Sequence, residues 1–244
     1  MNTYRKTAIM VGVFYIAATV VGLIGLAAIL EPTLNAPDYL VSVSANESQV
    51  VLGALLELIM AVAVAGIGIA VYPVLRNHNA SIAIGYVGAR LIEPVIYIIN
   101  VISLLTLLTV SQEFVKAGAP DASYFQTLGE LLLAVPDWGG HVVLDVAVFP
   151  LGALIFNYLL YQSKLVPRWL SGWGFIGAIL YWAAGLFVMF ALVTPLSTPH
   201  VLLQAPLGLQ ELVFAVWLIV KGFNPAAIAS TSAQQIGQSV TAPS

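Results

Sequence analysis

Charge is what this sequence has least of. Asp, Glu, Lys and Arg make up 8% of its 244 residues, against about a quarter of a soluble domain. A chain with so few charged residues cannot clothe a water-facing surface of its own. Cysteine is absent altogether, which excludes disulfides, thiolate nucleophiles and Cys-ligated zinc or iron–sulfur centres. The histidines, His78, His141 and His200, are too few and too scattered along the chain for a His-rich metal site. Walker A, G-x-S-x-G and H-E-x-x-H words are all missing. Nothing therefore commits the chain to enzymatic chemistry. No cofactor, metal or nucleic-acid partner is expected.

What is present is apolar length. Hydrophobic residues account for 60% of the chain, and the mean hydropathy is +0.98. A spanning helix needs roughly 20 mostly apolar residues, and six such stretches occupy most of the sequence. They are expected near Thr7–Leu30, Gln49–Leu75, Ser81–Ser111, His141–Tyr161, Arg168–Val193 and Val201–Lys221. The fold class implied is all-α: a polytopic membrane protein with a six-helix transmembrane bundle over residues 1–223. A small, polar, uncharged tail over 224–244 is expected to be disordered. Arg5 and Lys6 precede an apolar run from Ala8 to Leu30 of about 23 residues, too long for a signal-peptide core, so it reads as a retained first helix. Glu113–Asp137 reads as a polar connection with a short interfacial helix, broken at Pro136-Asp137-Trp138-Gly139-Gly140.

Loop charge suggests an orientation. Arg5, Lys6, Arg76, Lys164, Arg168 and Lys221 fall at one set of helix ends, and only Lys116 at the other. The positive-inside rule then places both termini in the cytoplasm of a cell-membrane protein. A faint repeat, LGALLELIMAV from Leu52 and LGLQELVFAV from Leu207, with GYVGA at Gly85 and GFIGA at Gly174, is what three parallel helical hairpins would leave behind.

The few charges inside these stretches are the candidates for chemistry. Glu57, Arg90, Glu93, Asp145 and Glu211 lie where an ionisable group costs roughly 2.5–3.5 kcal/mol or more unless it is paired or faces a polar cavity. Arg90 and Glu93 are three apart and can touch on one helix face. Pro94 follows at once and withdraws a hydrogen bond from the Arg90 carbonyl, so a kink is expected there. His141 and Asp145 are four apart, a spacing suited to a proton-relaying or ligand-orienting pair, with a second kink expected at Pro150. Small residues flank Glu57 (Gly53, Ala61, Ala65) and Glu211 (Gly208, Ala215). Close approach at such stripes predicts that helices 2, 3 and 6 are mutual neighbours.

Residues 38–95, beginning DYLVSVSANESQVVLGALLELIMAV, resemble a bacterial membrane family catalogued as domain of unknown function 4386. LVPRWLSGWGFIGA and LQELVFAVWLIVKGF resemble its fifth and sixth helices. The resemblance implies a six-helix integral membrane protein and brings no substrate and no site residues. From the residues alone, the buried cluster Glu57, Arg90, Glu93, His141, Asp145 and Glu211 points to a small transporter-like or ligand-binding bundle. Its partners would be the lipid bilayer and a small-molecule or cation ligand. A structural or signalling subunit with internally paired charges, and an intramembrane lipid-modifying enzyme, are the alternatives.

Overall fold

Lipid offers a peptide group no hydrogen bond, so a chain this apolar is confined to helices that satisfy their own backbone. The computed structural model describes residues 3–118 and 122–229, and among these residues the fold is all-α. Six helices are long and apolar enough to cross a membrane: α1 (Thr3–Leu34), α2 (Glu47–Leu75), α3 (Ala80–Ala117), α4 (Ser123–Ser163), α5 (Arg168–Met189) and α6 (Thr198–Val220). A short helix, Tyr39–Ala45, bridges α1 and α2. Large apolar side chains such as Val62 (72% exposed), Ile69 and Ile102 form the outward surface. That inversion of the soluble pattern marks a lipid-facing girdle of a multi-pass membrane protein.

Each helix packs on the next in sequence, and α1 returns to pack on α6, so the six close into a ring. The expected grouping of helices 2, 3 and 6 is corrected by this closure. α6 lies along α1 and α5, with α1 standing between it and α2. The ring is pinned where it closes. Arg5 donates to the carbonyls of Leu218 (3.1 Å), Ile219 (2.6 Å) and Val220 (3.2 Å) at the end of α6, where the helix leaves its acceptors unpaired and its dipole favours a cation.

Helix ends follow local chemistry. The Asn79 side chain accepts from Ile82 N–H at 3.0 Å and caps α3. α5 stops at Met189, short of the expected Val193. There Ala191 turns left-handed (φ 55°), while Leu192 N–H returns to Phe187 O and Ala191 N–H to Val188 O, the paired bonds of a Schellman ending. Residues 225–229 add a helical turn on which Ala227 is buried, and Asn224 N–H donates to Leu165 O at 2.8 Å. The remainder of the expected tail lies outside the described residues.

The largest departure from expectation is α4. The break expected at residues 136–140 does not occur, and one helix of 41 residues runs from Ser123 to Ser163. Pro136 has no N–H for the Leu132 carbonyl, but Ser103 of α3 donates to that oxygen at 2.7 Å. Beyond it, Gly139–Val148 continues as a π-helix, and Phe149 N–H closes it on Leu144 O, five residues back. Pro150 stands at the seam where α-helical geometry resumes. α3, by contrast, runs through Pro94 without interruption. Phe125, Leu132 and Leu133 pack on the apolar cluster around Leu104 and Leu107. Tyr39 ties the bridging helix to α4 by donating to Gln126 O at 3.1 Å. Burial and the nearby Glu130 carboxylate raise this phenol above its ordinary range, so it keeps its proton.

Candidate functional site

Two apolar clusters fill the ends of the ring, one around Val11, Ile67, Leu160 and Leu218, the other around Leu30, Val50, Val101 and Leu107. The polar side chains gather between and beside them in two groups.

The first group centres on Arg90 of α3, which is 4% exposed. Its Nη1 donates to Glu93 Oε2 at 2.9 Å, one helical turn along. Its Nη2 donates to Tyr15 OH of α1 and to Glu211 Oε1 of α6, both at 2.9 Å. Its Nε donates to Tyr86 OH at 3.0 Å. Four of the five guanidinium N–H directions are thereby used. The rings of Tyr15, Tyr86 and Phe149 lie 5.3–5.6 Å from the guanidinium carbon, within the range of cation–π attraction. Tyr97 OH completes the group by donating to Glu93 Oε1 at 2.9 Å. Gly68 makes the arrangement possible from α2, since a Cβ there would stand 2.9 Å from Arg90 Cβ.

The second group is built on the π segment of α4. Asp145, 2% exposed, accepts from Tyr181 OH of α5 at 3.1 Å through Oδ1 and from Gln204 Nε2 of α6 at 2.7 Å through Oδ2. His200, at the start of α6, is fully buried with Nε2 3.8 Å from Asp145 Oδ2. His141 meets it edge to face, ring centroids 5.7 Å apart. Distance in sequence had separated these two histidines, and the ring of helices brings them together. Glu93 lies within electrostatic reach of both Asp145 and Tyr181, so the two groups share one field.

Of the residues expected from sequence, Arg90, Glu93 and Glu211 are joined directly, and His141 with Asp145 falls in the neighbouring group. Glu57 is half-buried on α2 beside Asn100 of α3. Among the described residues no hydrogen bond or ion pair links it to Arg90. Tyr15, Tyr86, Tyr97, Tyr181, Gln204 and His200 belong to the site and were not anticipated. Part of this was readable. Tyr86, Arg90, Glu93 and Tyr97 recur at helical spacing along one face of α3. His200, Gln204 and Glu211 do the same on α6. Tyr15 and Tyr181 carry no such mark, because one tyrosine in an apolar helix is ordinary.

The model of a family described as Domain of unknown function (DUF4386) matches residues 10–222, nearly the whole described chain, and the chain belongs to that family. No curated protein and no solved structure matches it.

Proposed function

We propose that this member of the DUF4386 family is a transporter-like, cation-binding membrane protein whose binding groups are the carboxylates inside the ring. The observation that carries this reading is the charge inventory of the interior. Glu93 and Asp145 are buried and Glu211 nearly so, while Arg90 is the one buried Lys or Arg among the described residues. With all of them ionised, three carboxylates against one guanidinium leave the interior with a net charge of −2. Uncompensated charge is expensive at bilayer depth, so protons or bound cations make up the difference. An anion would add to the excess.

A second reading applies to the Arg90 centre alone. Its donors are taken up by side chains of α1, α3 and α6. That supports a structural tie at Arg90, whereas the Asp145 group keeps an unpartnered buried atom, His200 Nε2. Both termini are placed in the cytoplasm of a cell-membrane protein, a reading supported by the Lys and Arg bias of one set of helix ends.

The experiment is cation uptake by sealed vesicles containing the purified protein, with the melting temperature in detergent read alongside. Proton or metal-cation uptake is expected, reduced in Asp145→Asn and Glu211→Gln proteins that remain folded. Folded protein that neither takes up a cation nor changes its melting temperature with pH or added cations overturns the proposal.

A further inference from the structure

We infer that His141, Asp145 and His200 form a binding site for a transition-metal dication of the zinc class. The inference rests on the cation-binding reading above and names the cation. The donor set is two imidazoles and a carboxylate, which suits zinc and its neighbours in the first transition row. One donor atom from each residue lies within 4.8 Å of the other two. Zinc bonds of roughly 2.0–2.2 Å in tetrahedral geometry put ligand atoms about 3.5 Å apart. The His200 Nε2 to Asp145 Oδ2 separation is 3.8 Å, so small side-chain rotations close the site.

A second observation points to a ligand. His200 is completely buried, and its Nε2 has no hydrogen-bond partner. At 3.8 Å the Asp145 oxygen is too distant to serve as one. Buried polar atoms are nearly always satisfied, and this one faces two further donors of the kind that bind metals. Asp145 is already oriented. Tyr181 and Gln204 each take one lone pair from its oxygens and leave others for a metal. Such outer partners are what hold a ligating carboxylate in place. Three protein ligands leave a fourth position open for water or a transported group. His141 is only half-buried and follows directly on Gly139 and Gly140, which gives the site an approach from the end of the ring.

One bond opposes metal ligation, and it carries its own explanation. Leu196 N–H donates to His200 Nδ1 at 3.2 Å. Neutral His200 then holds its proton on Nε2, the atom a metal needs bare. Leu196 is the third residue of a turn closed by Ser197 N–H to Thr194 O at 3.2 Å, with Pro195 second. Its φ is 59°, left-handed, which a leucine rarely adopts. That is the pattern of a type II turn with a leucine where glycine belongs. Turning over the peptide between Pro195 and Leu196 converts it to type I. The closing bond is kept, Leu196 returns to negative φ, and the Pro195 carbonyl replaces the N–H beside Nδ1. His200 then donates from Nδ1 and presents a bare Nε2, the tautomer of a metal-bound histidine. The strained turn belongs to the metal-free state, and metal binding relaxes it.

The test uses the full-length protein in detergent, equilibrated with Zn²⁺ or Co²⁺ and freed of loose metal. A single tightly held zinc is expected, and the cobalt form should show the strong visible bands of four-coordinate geometry. Both should vanish in His141→Ala and His200→Ala and persist in His78→Ala, with folding checked by elution and helicity. Leu196→Gly should weaken zinc several-fold, because glycine removes the strain that metal binding relieves. Folded wild-type protein that holds neither metal overturns the site, as does undiminished binding in His141→Ala. Binding lost only in Asp145→Asn would indicate a hard, oxygen-bound cation and also overturns it. A protein that takes up a cation, or whose melting temperature responds to pH, but which holds no zinc or cobalt loses this inference alone. One that does neither loses the cation reading as well.

Discussion

Arg90 Nη2 stands 2.9 Å from Glu211 Oε1 and so ties α3 to α6 across the interior of the ring, although the two helices are not neighbours within it. A buried ion pair is weak evidence of net stability, but breaking one is costly, about 3–5 kcal/mol, because it strands the partner. Arg90→Ala strands two carboxylates, Glu93 and Glu211. It should lower the melting temperature more than Glu93→Ala or Glu211→Ala. The double variant Arg90→Ala/Glu93→Ala should lose clearly less than the sum of its parts, since one of the two stranded carboxylates is removed and only Glu211 is left unpaired. Strictly additive losses in thermal denaturation would mean that the two side chains do not interact.

Ser103 and Pro136 make a second coupled pair. The proline deprives the Leu132 carbonyl of its helical donor, and the Ser103 hydroxyl supplies one from α3. Ser103→Ala should cost about 1–3 kcal/mol, the penalty for a buried acceptor left unpaired. Pro136→Ala on top of it should restore most of the loss, because residue 136 regains an N–H four residues beyond Leu132. The readout is again thermal or denaturant unfolding. A double variant no more stable than Ser103→Ala would show that the carbonyl had found another partner.

Orientation has a direct measurement. Asn77 and Lys116 lie at opposite ends of α3, which spans Ala80–Ala117, and the native chain has no cysteine to interfere. A membrane-impermeant thiol reagent added to intact cells should label the Lys116→Cys variant and spare the Asn77→Cys variant. The reverse pattern would invert the topology. Labelling of both variants, or of neither, would remove α3 as a spanning helix.

The helices themselves were legible because lipid leaves a long apolar run only one way to satisfy its backbone. The Arg90–Glu93 pair was legible because i, i+3 spacing fixes it locally. Composition misled beyond the expected short interfacial helix, where Pro136 and the glycines after it look like a break although Phe125, Leu132 and Leu133 hold Ala122–Trp138 as helix against α3 and it runs on into the spanning segment. The Ser103 bond that carries the helix past Pro136 comes from another helix and leaves no local trace. The same holds for the gathering of His141 with His200, and for Glu211 reaching Arg90. Which helices adjoin is decided by closure of the ring, and small-residue stripes did not encode it. Glu57 illustrates the limit, since its stripe resembles that of Glu211 while its neighbour is Asn100.

Two glycines of one helix provide a controlled test of how α5 seats the Asp145 group. A Cβ built on Gly185 would stand 2.8 Å from the Asp145 carbonyl oxygen and 2.9 Å from its carbonyl carbon. Backbone cannot yield as a side-chain tip would. Gly185→Ala must therefore lift α5 away from α4, at a cost of about 1–3 kcal/mol for overpacking. Tyr181 lies one turn earlier on the same face, so its 3.1 Å bond to Asp145 should lengthen with that shift. Gly172, also on α5, has nothing within 4 Å of its would-be Cβ. Gly172→Ala should raise stability by roughly 0.5–1 kcal/mol, the ordinary gain of alanine over glycine inside a helix. Opposite signs for two identical substitutions in one helix cannot come from helix propensity. If Gly185→Ala proves as harmless as Gly172→Ala, α5 does not rest on the Asp145 backbone, and the Tyr181 contact that orients the carboxylate goes with it.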